Sequence, residues 1–71
     1  MKTSELIRKI RNELGLTQEA FAHAISSTHT TVNRWENDKS TPNRMAKTLI
    51  ADYCEKNGID KDLIDAVRKI R

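Results

Sequence analysis

The chain has 71 residues, 37% of them hydrophobic, with one Trp, one Tyr, one Phe, two glycines and one proline. That length holds one domain spanning residues 1–71, and no apolar run approaches the ~18 residues a membrane span requires. Thirteen Lys and Arg against ten Asp and Glu give +3, and a single cysteine, Cys54, excludes an intramolecular disulfide and a thiolate metal cluster.

The charge surplus sits in the first 51 residues, where eight bases face five acids; the remaining 20 residues carry five of each. A basic front with a neutral tail agrees with a polyanionic partner, although many solvated surfaces carry as much. The stretch Met1-Lys2-Thr3-Ser4-Glu5 lacks the apolar segment and small-residue cleavage site of a signal peptide, so a cytoplasmic location and no membrane contact are expected. Strand-forming residues come singly rather than in alternation, which predicts an all-α domain without a sheet.

Five helices follow from their punctuation. The first is predicted from about Ser4 to Leu14, with Thr3 as its cap, Leu6, Ile7, Ile10 and Leu14 at helical spacing, and Gly15 supplying a left-handed stop. Thr17 caps the second, which ends near Ile25; Leu16 and Phe21 flank its start with the spacing of a hydrophobic staple. After the polar break Ser26-Ser27-Thr28, Thr28 caps a third helix reaching about Asn37. Thr41-Pro42, a cap followed by proline at the first helical position, announces the fourth, which closes near Asn57-Gly58. Asp60 caps the fifth, with Ile59 and Ile64 again at staple spacing.

At ~100° per residue, the third helix gathers Val32, Trp35 and Glu36 on one side and Thr30, Asn33, Arg34 and Asn37 on the other, with His29 at its amino-terminal tip. That polar set reads either as an ordinary solvated face or as a groove reader. Asn pairs bidentately with an adenine edge, Arg with guanine, and a Thr methyl meets the thymine methyl. The helix starts at Thr17-Gln18 and at Thr28 offer unpaired N–H groups that either cap the helices or grip phosphates.

The ordered set Arg11, Leu14-Gly15-Leu16-Thr17-Gln18, Phe21-Ala22, Ile25, Thr28, Val32, Trp35-Glu36 and Pro42 resembles the Cro/phage-repressor class of helix-turn-helix regulators, the XRE-like group, over about residues 5 to 59. The resemblance implies a compact five-helix, lambda-repressor-like fold whose second and third helices form the motif. It implies base contacts from His29, Thr30, Asn33 and Arg34, and backbone phosphate contacts from Gln18, Thr17, Thr28, Asn37, Lys39 and Arg11. It also implies an ion pair between Arg11 and Glu36, which agrees with the need of an inward-facing Glu for a partner. Many relatives have glycine in the turn after the second helix and just after the third; this chain has Ser26 and Asp38 there, so strained or rearranged turns are expected.

The other constellations point to packing. His23 and His29 lie six residues apart with no third ligand nearby and make no metal site, while His29 in a groove would make binding pH-sensitive, since free imidazole titrates near about 6.5. Ser26, Ser27 and His29 lack an orienting acid and an oxyanion hole, and capping accounts for the serines, so no enzyme activity and no cofactor are expected. Cys54, near Leu49, Ile50 and Tyr53, and Trp35, in register with Val32, are read as core. In the fifth helix Ile59, Leu63, Val67 and Ile70 form a stripe with Ile64 beside it; Leu63 and Ile64 are expected in the core and Ile70 shared with a second protomer.

These readings converge on a Cro-type repressor that binds double-stranded DNA as a homodimer on a palindrome with half-sites ~34 Å apart, with occupancy set by protein concentration. Two alternatives stay open: an antitoxin that holds a partner toxin and binds DNA with it, and a restriction-system controller.

Overall fold

A computed structural model describes residues 1–71 as five helices and no strand: α1 Thr3–Leu14, α2 Gln18–Ala24, α3 His29–Glu36, α4 Arg44–Lys56 and α5 Lys61–Arg68. Helix α1 packs on α3 and α5, α2 on α3, and α4 on α5. One core joins all five: Leu6, Ile7 and Ile10; Phe21, Ala22 and Ile25; Val32 and Trp35; Ile50, Ala51 and Cys54; Ile64, Val67 and Ile70. Phe21 is fully buried at the centre, and its truncation to Ala would cost about 3–5 kcal/mol, comparable to the stability of a domain this small. Burial also pushes the Cys54 thiol up to about 11, which leaves it a packing group.

The first four helices end in one device. Gly15, Ser26, Asp38 and Gly58 all have left-handed backbone, with φ of 71°, 56°, 59° and 68°. After each, an N–H reaches back to a carbonyl of the last turn: Leu16 to Arg11 at 3.1 Å, Ser27 to Ala22 at 2.8 Å, Lys39 to Arg34 at 2.9 Å and Ile59 to Cys54 at 3.0 Å. These are Schellman closures, which turn the chain sharply while satisfying carbonyls the helix leaves open. The turns at Ser26 and Asp38 are therefore retained in left-handed form and not rearranged; the residues absorb the strain.

Two boundaries differ from expectation. Helix α1 begins at Thr3 rather than after it, with Lys2 at the cap position and the Lys2 N–H donating to Glu5 Oε1 at 3.0 Å. Helix α4 starts two residues later than Thr41-Pro42 suggests. Pro42 is buried and serves as a packing residue of the connecting loop, and Asn43 takes the cap, accepting the Ala46 N–H at 2.9 Å. Thr41 instead donates to the Arg71 carbonyl at 3.3 Å. Helices α2 and α3 end where expected, with Ile25 and Asn37 as their terminal caps.

The α5 stripe divides differently from expectation. Val67 and Ile70 are buried in this protomer's own core, whereas Leu63 and Ile59 are half-buried. Lys47 Nζ donates to the Ile70 carbonyl at 2.5 Å and ties the carboxyl-terminal segment to α4, so Ile70 does not overhang as a surface for a second protomer. Leu49, grouped with Cys54 by sequence, faces outward with Met45.

Candidate nucleic-acid interface

Helices α2 and α3 are short, seven and eight residues, and each is capped at its start. Thr17 Oγ1 accepts the Ala20 N–H at 3.0 Å, and Thr28 Oγ1 accepts the Thr31 N–H at 3.2 Å. Both threonines thus act as caps, and their helices present amino-terminal amides to solvent. Leu16 and Phe21 sit on the same core, as the staple spacing requires, which fixes the angle at which α2 leaves α1.

Helix α3 divides as its wheel predicts. Val32, Trp35 and Glu36 are buried, and His29, Thr30, Asn33, Arg34 and Asn37 are exposed. The inward Glu36 is 3% exposed and finds the expected partner: Arg11 Nε donates to Oε2 at 2.7 Å and Arg11 Nη2 to Oε1 at 3.0 Å, a two-pronged pair. Arg11 Nη1 also donates to the Leu16 carbonyl at 3.0 Å, so one guanidinium joins α1, the α1–α2 turn and α3. Burial by itself would push the Glu36 carboxyl up. The hydrogen bonds from Arg11 and Gln18 and the charges of Arg11 and Arg8 outweigh it and hold the carboxyl below its usual value. The bond to Glu36 likewise raises Arg11 despite its own partial burial.

Gln18, at the first position of α2, links this pair to the exposed face. Its Nε2 donates to Glu36 Oε1 at 3.1 Å, while its Oε1 lies 2.9 Å from His29 Nε2 and accepts from Asn33 Nδ2 at 3.2 Å. Arg11, Gln18, His29, Asn33 and Glu36 are therefore one connected cluster, and Arg11, Thr17, Gln18 and His29 line one shallow depression.

The remaining candidates lie around that cluster. Thr30 projects freely from the exposed face, and Arg34 lies on the side of α3 toward α4, where it lines a groove with Thr31, Trp35, Met45 and Leu49. The Asn37 amide turns back to the Asn33 carbonyl at 2.7 Å and completes the end of α3. Lys39 is exposed just beyond it. Sequence reading missed Arg8, whose Nη2 donates to the Glu36 carbonyl at 3.0 Å and whose Nε lies 3.7 Å from its carboxylate. The available signal was its place three residues before Arg11, one turn back on the same helical face.

The arrangement is a polar helix, rigidly seated by its apolar and ionic side, projecting beside the amino terminus of a second short helix. No curated protein and no solved structure matches the chain. The helix-turn-helix family model matches residues 7–57, from the core of α1 through the end of α4, which includes both motif helices and the ion pair between α1 and α3. The chain belongs to the helix-turn-helix family, in its Cro-like (XRE) group of DNA-binding transcriptional regulators.

Proposed function

We propose that this protein is a Cro-type repressor that binds a palindromic operator in double-stranded DNA as a homodimer, with the whole of residues 1–71 acting as one DNA-binding unit. The observation that carries the reading is the exposed polar face of α3, seated from behind by Trp35, Val32 and the Arg11–Glu36 pair. His29, Thr30, Asn33 and Arg34 are assigned to base edges in the major groove. Thr17, Gln18, Thr28, Asn37, Lys39 and Arg11 are assigned to phosphates, with the amides at the starts of α2 and α3 assisting. The single core shared by all five helices supports one cooperative unit.

With Ile70 inside the protomer, the large apolar side chains left for a twofold contact on a helix are Met45 and Leu49 of α4, 73% and 37% exposed. They share a groove with Arg34, which favours a contact next to the reading helix, as two half-sites on one face of the duplex require.

The test is selection of bound duplexes from a random pool with the purified chain at physiological salt. Enrichment of a palindrome preferred by about 10³-fold or more over a scrambled duplex is the expected result. Weak, salt-sensitive binding without enrichment would overturn the self-sufficient repressor in favour of an antitoxin that needs its partner protein.

A further inference from the structure

Two base-facing side chains are tied to a charge that never reaches the surface. Glu36 is ionised, its carboxyl held below the usual range, and an ionised carboxylate only accepts hydrogen bonds. The Gln18 amide atom 3.1 Å from Glu36 Oε1 is therefore the NH₂ group, and the Gln18 carbonyl oxygen turns toward α3. There His29 Nε2 at 2.9 Å and Asn33 Nδ2 at 3.2 Å share it. A carbonyl oxygen has no proton to give, so His29 carries hydrogen on Nε2 and Asn33 presents its NH₂ to Gln18. Neutral His29 is left with the lone pair of Nδ1, and Asn33 with Oδ1 and one amide hydrogen.

We propose that Glu36 is a positioning residue for base choice: through the Gln18 amide it fixes His29 and Asn33 as hydrogen-bond acceptors toward the major groove, where both select bases carrying an exocyclic amine. In that groove the amine donors are adenine N6 and cytosine N4, so both side chains choose adenine or cytosine over guanine or thymine. Asn33 keeps one hydrogen for adenine N7 and can pair bidentately there; His29, with an acceptor alone, takes either base. Gln18 retains one amide hydrogen for a phosphate, so positioning adds to its backbone role. The inference rests on the reading of α3 as the base-contacting helix.

The experiment uses the full chain and duplexes carrying every single base-pair change in the selected half-site, with salt slopes measured alongside. His29→Ala and Asn33→Ala locate the base pairs that each side chain reads. Gln18→Met, which keeps length and removes both polar atoms, is expected to lower discrimination about tenfold at those same pairs and to leave the others unchanged. Glu36→Gln, which frees the Gln18 amide to flip, is expected to do the same; if that variant does not fold, Gln18→Met still decides. A uniform loss or no change in Gln18→Met, with localised effects in His29→Ala and Asn33→Ala, overturns the relay and leaves the base-reading helix standing. Mapped pairs that offer guanine or thymine to these side chains overturn the acceptor assignment. Uniform effects in every variant overturn the reading of α3 and this inference together. In the free protein, imidazole ¹⁵N shifts should show neutral His29 protonated at Nε2 and bare at Nδ1; the opposite tautomer overturns the proposal without reference to DNA.

Discussion

A carboxylate withdrawn from water survives only if its lone pairs are filled, and at Glu36 they are filled by two hydrogen bonds from Arg11 and one from Gln18. Removing the partner leaves the buried charge behind, so Arg11→Ala should cost about 3 kcal/mol in a denaturant titration. The carboxyl is held low in the folded protein, so its contribution is fully present above the unfolded carboxyl's range, about 4.3, and is lost as pH falls through the lower folded value. A melting-temperature series from neutral to acid pH should therefore fall more steeply for the native chain than for Glu36→Gln. Equal slopes would mean the pair adds nothing. On the exposed side, Asn33→Ala should cost ~1–3 kcal/mol at one base pair and relax preference there. Lys39→Ala should weaken all sequences alike and lower the salt slope by about one. Competition binding across a mutated operator separates the two.

At the scale of elements, the four left-handed closures set the angles at which α1 through α5 succeed one another. Two use glycine, which adopts that backbone freely, and two use Ser26 and Asp38, which do not. Ser26 is exposed and its side chain makes no hydrogen bond, so only backbone geometry is at stake. Ser26→Gly should raise stability by about 1 kcal/mol and the melting temperature by roughly 4–8 °C, with DNA preference unchanged. Asp38→Gly should gain less, because Asp tolerates left-handed backbone better. No gain at Ser26 would mean the turn relaxes in solution. The start of α4 shows the opposite balance. Thr41-Pro42 and Asn43 are both competent starts, and the burial of Pro42 selects the second.

At the scale of the whole molecule, the carboxyl-terminal segment is anchored to the start of α4 through Lys47 and Thr41, which closes the core over Ile70. A twofold contact is then expected to use Met45 and Leu49. Met45→Glu should leave the unfolding free energy within ~0.5 kcal/mol of the native value, as for an exposed site. It should abolish cooperative binding to the full palindrome while affinity for a single half-site persists. Sedimentation on and off DNA would check this, and undiminished cooperativity would move the dimer contact elsewhere.

The sequence by itself determined the elements and their order, because helical spacing of apolar residues, caps at Thr17, Thr28 and Asp60 and stops at Gly15 and Gly58 are all local causes. It also determined the two faces of α3 and the need of the inward Glu36 for a cationic partner, which the resemblance to the Cro-like group named as Arg11. The tertiary structure alone decided what depends on distant neighbours. It placed the Gln18 amide between Glu36 and the exposed side chains of His29 and Asn33, added Arg8 to the ion pair, buried Pro42 and Ile70, and left Met45 and Leu49 outside. Periodicity gives the face on which a side chain stands; which helix covers that face, and where a polar atom turns, is fixed only when the five helices share one core.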